Sequence, residues 1–380
     1  MSDKKQTYQN RMVKLVFILT LIFATHTFYA GLASDQNVNK VEVESNTQVK
    51  ASNETLTKIP CCEPLLNNIE YQPAPIKQIN PPVVRVTNDP TKMTLQQAHN
   101  ECQIPIDEDA LTRVNDVLFL LQNDPQARFY KKQFTLNKYL TIKVLSPAMP
   151  TGFWSDYKQK ISKIMTIYQD VFGFYLLEKQ EINLIIIPSR EQYADTLETL
   201  SIDGKYSQGL FWSATNMAFV EYKNDNQVMK TALHESVHTL NLFFAGFIAR
   251  WLNEGLAEYF EKIMLTEKSY SFNLQLDTIH QPAKEIGDLL TANQLWNISD
   301  AERRSLYNSA FLLTSYFYQY RMVETGNTQP VNILQKLLKK ESEDVCTTLT
   351  DNDYQAIIDE DYIYLPQSFS DWDHQRREQP

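Results

Sequence analysis

The sequence predicts an α+β fold: a small mixed sheet that ends in an edge strand, followed by a mostly helical C-terminal part. Apolar runs and two-residue alternation between residues 128 and 222 ask for strands, Ile182-Asn-Leu-Ile-Ile-Ile187 being the clearest. From Val228 onward the apolar residues recur instead at spacings of three and four, the helical period. The third observation is the pattern His234-Glu235-x-x-His238, in the first helix after the last strand.

The elements follow in order from about Pro105, where the folded part is expected to begin. Leu111, Val114, Leu118 and Leu121 mark a helix, and residues 128–136 and 139–145 read as strands. Ser155 is placed to cap a helix with apolar positions Ile161, Ile164, Tyr168 and Val171. The buried-strand run 182–187 ends at Pro188, and a short helix continues through Tyr193. Residues 209–212 and 217–222 flank Ser213-Ala-Thr-Asn216 and predict a hairpin just before the His234 helix. After Lys268, residues 283–292, 302–320 and 331–340 carry helical spacing, strongest through Leu306, Ala310, Leu313 and Phe317.

What precedes residue 105 is of another kind. Lys4, Lys5, Arg11 and Lys14 lead into an apolar run from Leu15 to Ala24, and Gly31-Leu32-Ala33 is a small-residue cleavage site. Residues 1–33 therefore read as a secretory signal, and the protein as exported to the periplasm or the extracellular space. The ten-residue run is short for a bilayer span, so no stable membrane span is expected after cleavage. Residues 34–104 are rich in Asn, Gln, Ser, Lys and Pro and read as a low-complexity arm or linker. The folded region is 105–380. The chain's formal charge is −10, and loss of residues 1–33 removes four positive charges and one negative, leaving about −13. An acidic exported chain without a basic cluster excludes nucleic acid as its partner. Its four cysteines, Cys61, Cys62, Cys102 and Cys346, predict disulfides. Because vicinal cysteines bridge each other only with strain, Cys61 or Cys62 is expected to pair with Cys102 or Cys346.

On a helix, His234 and His238 stack on one face about one turn of ~5.4 Å apart. That lets two imidazoles reach one tetrahedral Zn²⁺, while Glu235 can take a proton from water at the open position. Trp251-Leu-Asn-Glu-Gly-Leu-Ala-Glu-Tyr-Phe-Glu261 is a second helical pattern, with Leu252, Leu256, Tyr259, Phe260 and Ile263 on its apolar side. Glu254 and Glu258 share its other face and are candidates for a third ligand. The fifteen residues between His238 and Glu254 suffice to end the first helix near Ala245-Gly246 and bring the second back against it.

These paired motifs resemble the gluzincins, zinc peptidases that use two histidines and a downstream glutamate. Trp251-Leu-Asn-Glu-Gly-Leu-Ala257 is similar to the W-L-N-E-G-F-A segment of the aminopeptidase N family. The likeness is greater to uncharacterised bacterial gluzincin-like domains (peptidase-MA-like) with H-E-x-x-H and then W-x-x-E-G-L-A-E-Y, and it spans residues 181–319. The gap before the glutamate is shorter here than in aminopeptidase N or thermolysin, and thermolysin's spacing would select Glu258. The N-E-G position selects Glu254, which leaves Glu258 to accept the free N–H of a ligand histidine. Asn241 and Phe244 stand where a metzincin needs its Gly and third His, which excludes that class.

The resemblance implies an exported zinc peptidase acting on a peptide or protein substrate. His234, His238 and Glu254 would hold Zn²⁺, Glu235 would serve as general base, and the edge strand would pair with the substrate backbone. Tyr307-Asn-Ser-Ala-Phe-Leu-Leu313 resembles the Y-x-x-A/S segment of the uncharacterised relatives, which makes Tyr307 the candidate oxyanion donor, ahead of His280. The same centre would also suit an amidase acting on cell-wall or other non-peptide amides. A binding module that keeps the fold without catalysis is the third reading.

Overall fold

The alternating segments form one five-stranded sheet: β1 (Tyr130–Thr135), β2 (Leu140–Ser146), β3 (Gln180–Ile187), β4 (Gly209–Trp212) and β5 (Met217–Glu221). The strands stand in the order β1-β2-β3-β5-β4. The three central strands run parallel, and β1 and β4 are antiparallel edges. This computed structural model describes residues 108–124, 128–204, 207–266, 269–297, 299–319, 333–344, 346–361 and 365–378. The signal and arm read from the sequence, with Cys61, Cys62 and Cys102, lie outside the described residues. Cys346 is disulfide-bonded.

Helices cover both faces of the sheet, which is why β3 ends in an unbroken apolar run, Leu184–Ile187, rather than alternating. Ile182, Leu184 and Ile186 point into a core shared with α2 (Phe153–Asp170) and α4 (Asp225–Ala245). Ile185 and Ile187 point the other way, into a smaller core with α1 (Glu108–Gln122) and α3 (Arg190–Thr199). The larger core continues through α5 (Arg250–Phe260) and α7 (Asp300–Gln319) into the C-terminal helices. The mixed α+β architecture with a small mixed sheet and many helices agrees with the sequence expectation.

Several boundaries differ from it. Helix α2 begins at Phe153, not at Ser155, because Gly152 adopts φ +85° and turns the chain into the helix; Ser155 lies in the first turn and accepts from Gln159 Nε2 at 3.2 Å. Ile263 leaves the helical pattern and opens a short hairpin, β6 (Ile263–Leu265) with β7 (Tyr270–Phe272). The helix expected over 283–292 shrinks to α6 (Ile286–Leu290), with a 3₁₀ segment over Ala292–Asn297. Beyond α8 (Ile333–Glu341), two helices went unanticipated: α9 (Asp351–Asp361) and α10 (Leu365–Glu378). Among the described residues no helix is long and apolar enough to cross a membrane.

Candidate metal centre

Helix α4 carries the first half of the site. Asn224 caps it, its side chain accepting from the Gln227 N–H at 2.9 Å, and no glycine or proline interrupts the next 21 residues. It ends where Gly246 takes φ +77°, a backbone value that a side chain would strain. The face away from the cleft is pinned by hydroxyls: Tyr157 donates to Ser236 Oγ at 2.6 Å, and Ser236 donates to the Ala232 carbonyl. His234 and His238 are thereby held on the cleft side, their rings 4.7 Å apart and edge to face.

Helix α5 supplies the rest, and each residue of Asn253-Glu254-Gly255 has a separate task. Asn253 Oδ1 lies 3.0 Å from His238 Nδ1 and also accepts from Asn241 Nδ2 at 2.8 Å, while Tyr168 OH donates to Asn241 Oδ1. This chain makes Nδ1 the protonated nitrogen of His238 and leaves Nε2 as a lone pair. Glu254 Oε2 lies 3.4 Å from Nε2 of both histidines. Gly255 lets α7 approach: a Cβ there would fall 2.6 Å from the Ala310 carbonyl oxygen and closer still to Thr314 Oγ1. That close approach carries Tyr307 to the cleft.

His234 Nδ1 faces Glu261 Oε2 at 3.2 Å. The sequence reading gave this task to Glu258, one turn after Glu254. Glu258 instead accepts from Lys262 Nζ at 3.0 Å, and Lys262 also reaches Glu261 Oε1 at 3.0 Å. The physical reason is direction. Nδ1 of a histidine whose Nε2 points at Glu254 aims past Glu258 to the end of α5, where Glu261 sits at the C-cap. Glu258 still lines the cleft.

The charged groups of the pocket hold one another. Burial disfavours a charged His234, yet Glu254 and Glu261 outweigh it and hold the histidine pKa well above its ordinary value. Burial likewise disfavours a charged Glu254, but His238 and His234 hold its carboxyl well below the usual carboxylate range. Glu261 shows the same balance and is held down at about 2, burial being outweighed by His234 and Lys262. Such a group demands positive charge at its centre, from protons or from a cation. Glu254 Oε2 is moreover buried without a hydrogen-bond partner, a state that normally costs about 1–3 kcal/mol or more for a charged group. His234, His238 and Glu254 are a group able to hold a metal ion, one ligand atom from each lying within 4.8 Å of the others.

Glu235 stands beside them, 5% exposed. Burial raises its pKa, opposed by the two histidines and by the nearby Phe211 backbone. Tyr307 is half-buried on the same cleft, edge to face on Trp296 at 5.1 Å; burial and then Glu254 raise its hydroxyl pKa. His280 is exposed and lines another part of the surface. The cleft has a volume of about 1330 Å³ and runs from Asn224 and Lys230, past β4 and the histidines, to Phe247 and Arg304. No family model and no curated protein matches this chain.

Asn253, Glu261 and Asn241 were not singled out from the sequence. Asn241 carried a usable signal, lying seven residues after His234 and so on the same stripe of α4.

Proposed function

We propose that the protein is an exported zinc-dependent peptidase of gluzincin type. The observation that carries this is the convergence of His234 Nε2, His238 Nε2 and Glu254 Oε2 beside Glu235, in a cleft bordered by a free strand edge. Zinc fits the donor set: ligands roughly 2.0–2.1 Å from a tetrahedral ion stand about 3.3–3.4 Å apart, the separation found between Glu254 and each histidine. Two nitrogens and one carboxylate oxygen make up a donor set that hydrolytic zinc sites use.

His234, His238 and Glu254 would hold the ion, with Glu261 and Asn253 fixing the imidazoles from behind. When bound, zinc polarises a carbonyl and acidifies a water. Glu235 would take a proton from the water whose oxygen attacks the scissile carbonyl carbon, and would pass it to the amine nitrogen as the C–N bond breaks, so that the amine leaves neutral. Burial in the cleft weakens the carboxylate's hold on charge and suits it to an exchange in both directions. Tyr307, protonated throughout the working pH range, donates to the oxygen on which charge develops.

The substrate is bound along β4. The Glu221 N–H donates to the Gln208 carbonyl at 2.8 Å, so Gln208, Leu210 and Trp212 face β5 with their backbone groups. Those of Gly209 and Phe211 face the cleft, where an extended peptide adds as a strand. Export is supported by the charged and apolar N-terminal segment and by the disulfide at Cys346.

The test is a peptide-library cleavage assay on zinc-loaded wild type and Glu235→Gln. Loss of a general base costs about 10²–10⁴ in rate, and a residue serving as both base and acid belongs at the upper end. Persistent cleavage by zinc-loaded Glu235→Gln contradicts the mechanism. A wild type that cleaves cell-wall amides and no peptide makes the protein an amidase.

A further inference from the structure

We infer that Gly209 positions the carboxylate of Glu235 by having no side chain. The catalytic meaning rests on the peptidase reading above; the positioning itself rests on geometry alone.

Residues 209 and 211 share one face of β4, the face toward α4, because side chains alternate along a strand. A Cβ at 209 would lie 3.0 Å from Glu235 Cδ and closer still to Glu235 Oε1 and Thr231 Cγ2. All of these distances are inside van der Waals contact. Gly209 has no left-handed backbone conformation to explain it, as only Gly152, Gly173 and Gly246 have positive φ among the described glycines. What remains is the space that the carboxylate occupies. The strand thus leaves room for Glu235 at residue 209.

The obstructing atoms are side-chain tips, so an added methyl moves a side chain and leaves the backbone in place. Thr231 yields less than Glu235. It is β-branched on a helix, and its hydroxyl accepts from Gln227 Nε2 at 3.0 Å. The more mobile of the two is the carboxylate, which turns away from residue 209, while the Thr231 methyl needs a shift of its own. Gly209 acts through Glu235 and is a positioning residue. Because the same strand edge presents its remaining backbone groups to the cleft, the peptide-binding strand is also the one that sets the base.

Gly209→Ala should keep its zinc and its fold, and should lose kcat by about 10²-fold with KM little changed, as expected for a reacting group misplaced by about 1 Å. Gly209→Ala/Thr231→Ser removes the Thr231 methyl while keeping its hydroxyl, and serves if the single variant folds poorly; its kcat should stay low because the contact with Glu235 persists. Crystal structures of both variants should show the Glu235 carboxylate displaced, with His234, His238 and Glu254 unmoved. An unmoved carboxylate overturns the inference, and so does an unchanged kcat. The structures decide the positioning claim even without a known substrate, so a wild type silent toward every peptide would count against the peptidase reading alone.

Discussion

Glu258 and Glu261 differ by three positions and separate two accounts of the same histidine. A carboxylate that fixes a ligand histidine typically contributes 10–100-fold to metal affinity. Glu261 faces His234 Nδ1 and Glu258 faces Lys262. Glu261→Gln should therefore weaken zinc binding by about 10- to 100-fold, and Glu258→Gln should leave it nearly unchanged. Competition with a chelating dye measures both, and equal losses would contradict the assignment. The spacing of residues made His234, Glu235, His238 and Glu254 legible, because helical periodicity states which side chains share a face. It did not state where an imidazole nitrogen points. That depends on the ring rotamer and the crossing of α4 with α5, so Glu261 and Asn253 became visible only in three dimensions.

At the scale of elements, the helix that carries Glu254 is anchored from the C-terminal half of the chain. Ala249 opens α5, and its N–H donates to Glu341 Oε1 at 3.0 Å, from the last residue of α8. The same carboxylate accepts from the Leu349 N–H at 2.8 Å and from Tyr354 OH on α9. A glutamine offers one acceptor oxygen and turns donors toward donors. Glu341→Gln should thus destabilise the fold by about 1–3 kcal/mol, measured by urea unfolding. Burial, only partly offset by these donors, raises the Glu341 pKa above its ordinary 4.5. A folded pKa above the unfolded one means that the stabilising contribution is complete below the unfolded value and is lost as pH rises through the folded one. The stability gap between wild type and Glu341→Gln should accordingly narrow as pH rises from about 4.5. A gap that widens would show that the carboxylate is preferred ionised.

Elements with a strong period were legible, and those with hidden polar partners were not. The β3 run and the α7 stripe declare themselves by composition. Helix α10 reads as a polar tail, yet it buries Asp373 and Arg376. Arg376 donates to the Leu276 and Gln281 carbonyls at 3.1 Å each, and Asp373 accepts from the Ala283 N–H at 3.0 Å. A charged pair saturated by backbone of a distant segment looks, in sequence, like a solvated surface.

For the molecule as a whole, the sheet and the helical half meet at the cleft: β4 lines one side, α4 and α5 the floor, and α7 the other side. The order of elements, a strand edge, a helix with two histidines, a returning helix and a later helix bearing Tyr307, was readable along the chain. The closeness of α5 and α7 was not, since it depends on Gly255 meeting Ala310 across the interface. Everything proposed about chemistry rests on a metal ion at the meeting point of α4 and α5. The direct measurement is the zinc content of the purified protein, by mass spectrometry of the metal after dialysis, for wild type, His234→Ala, His238→Ala and Glu254→Ala. The account predicts close to one equivalent in wild type, none in either histidine variant, and severe loss in Glu254→Ala, where three protein ligands become two. Full retention of zinc in both histidine variants would contradict it.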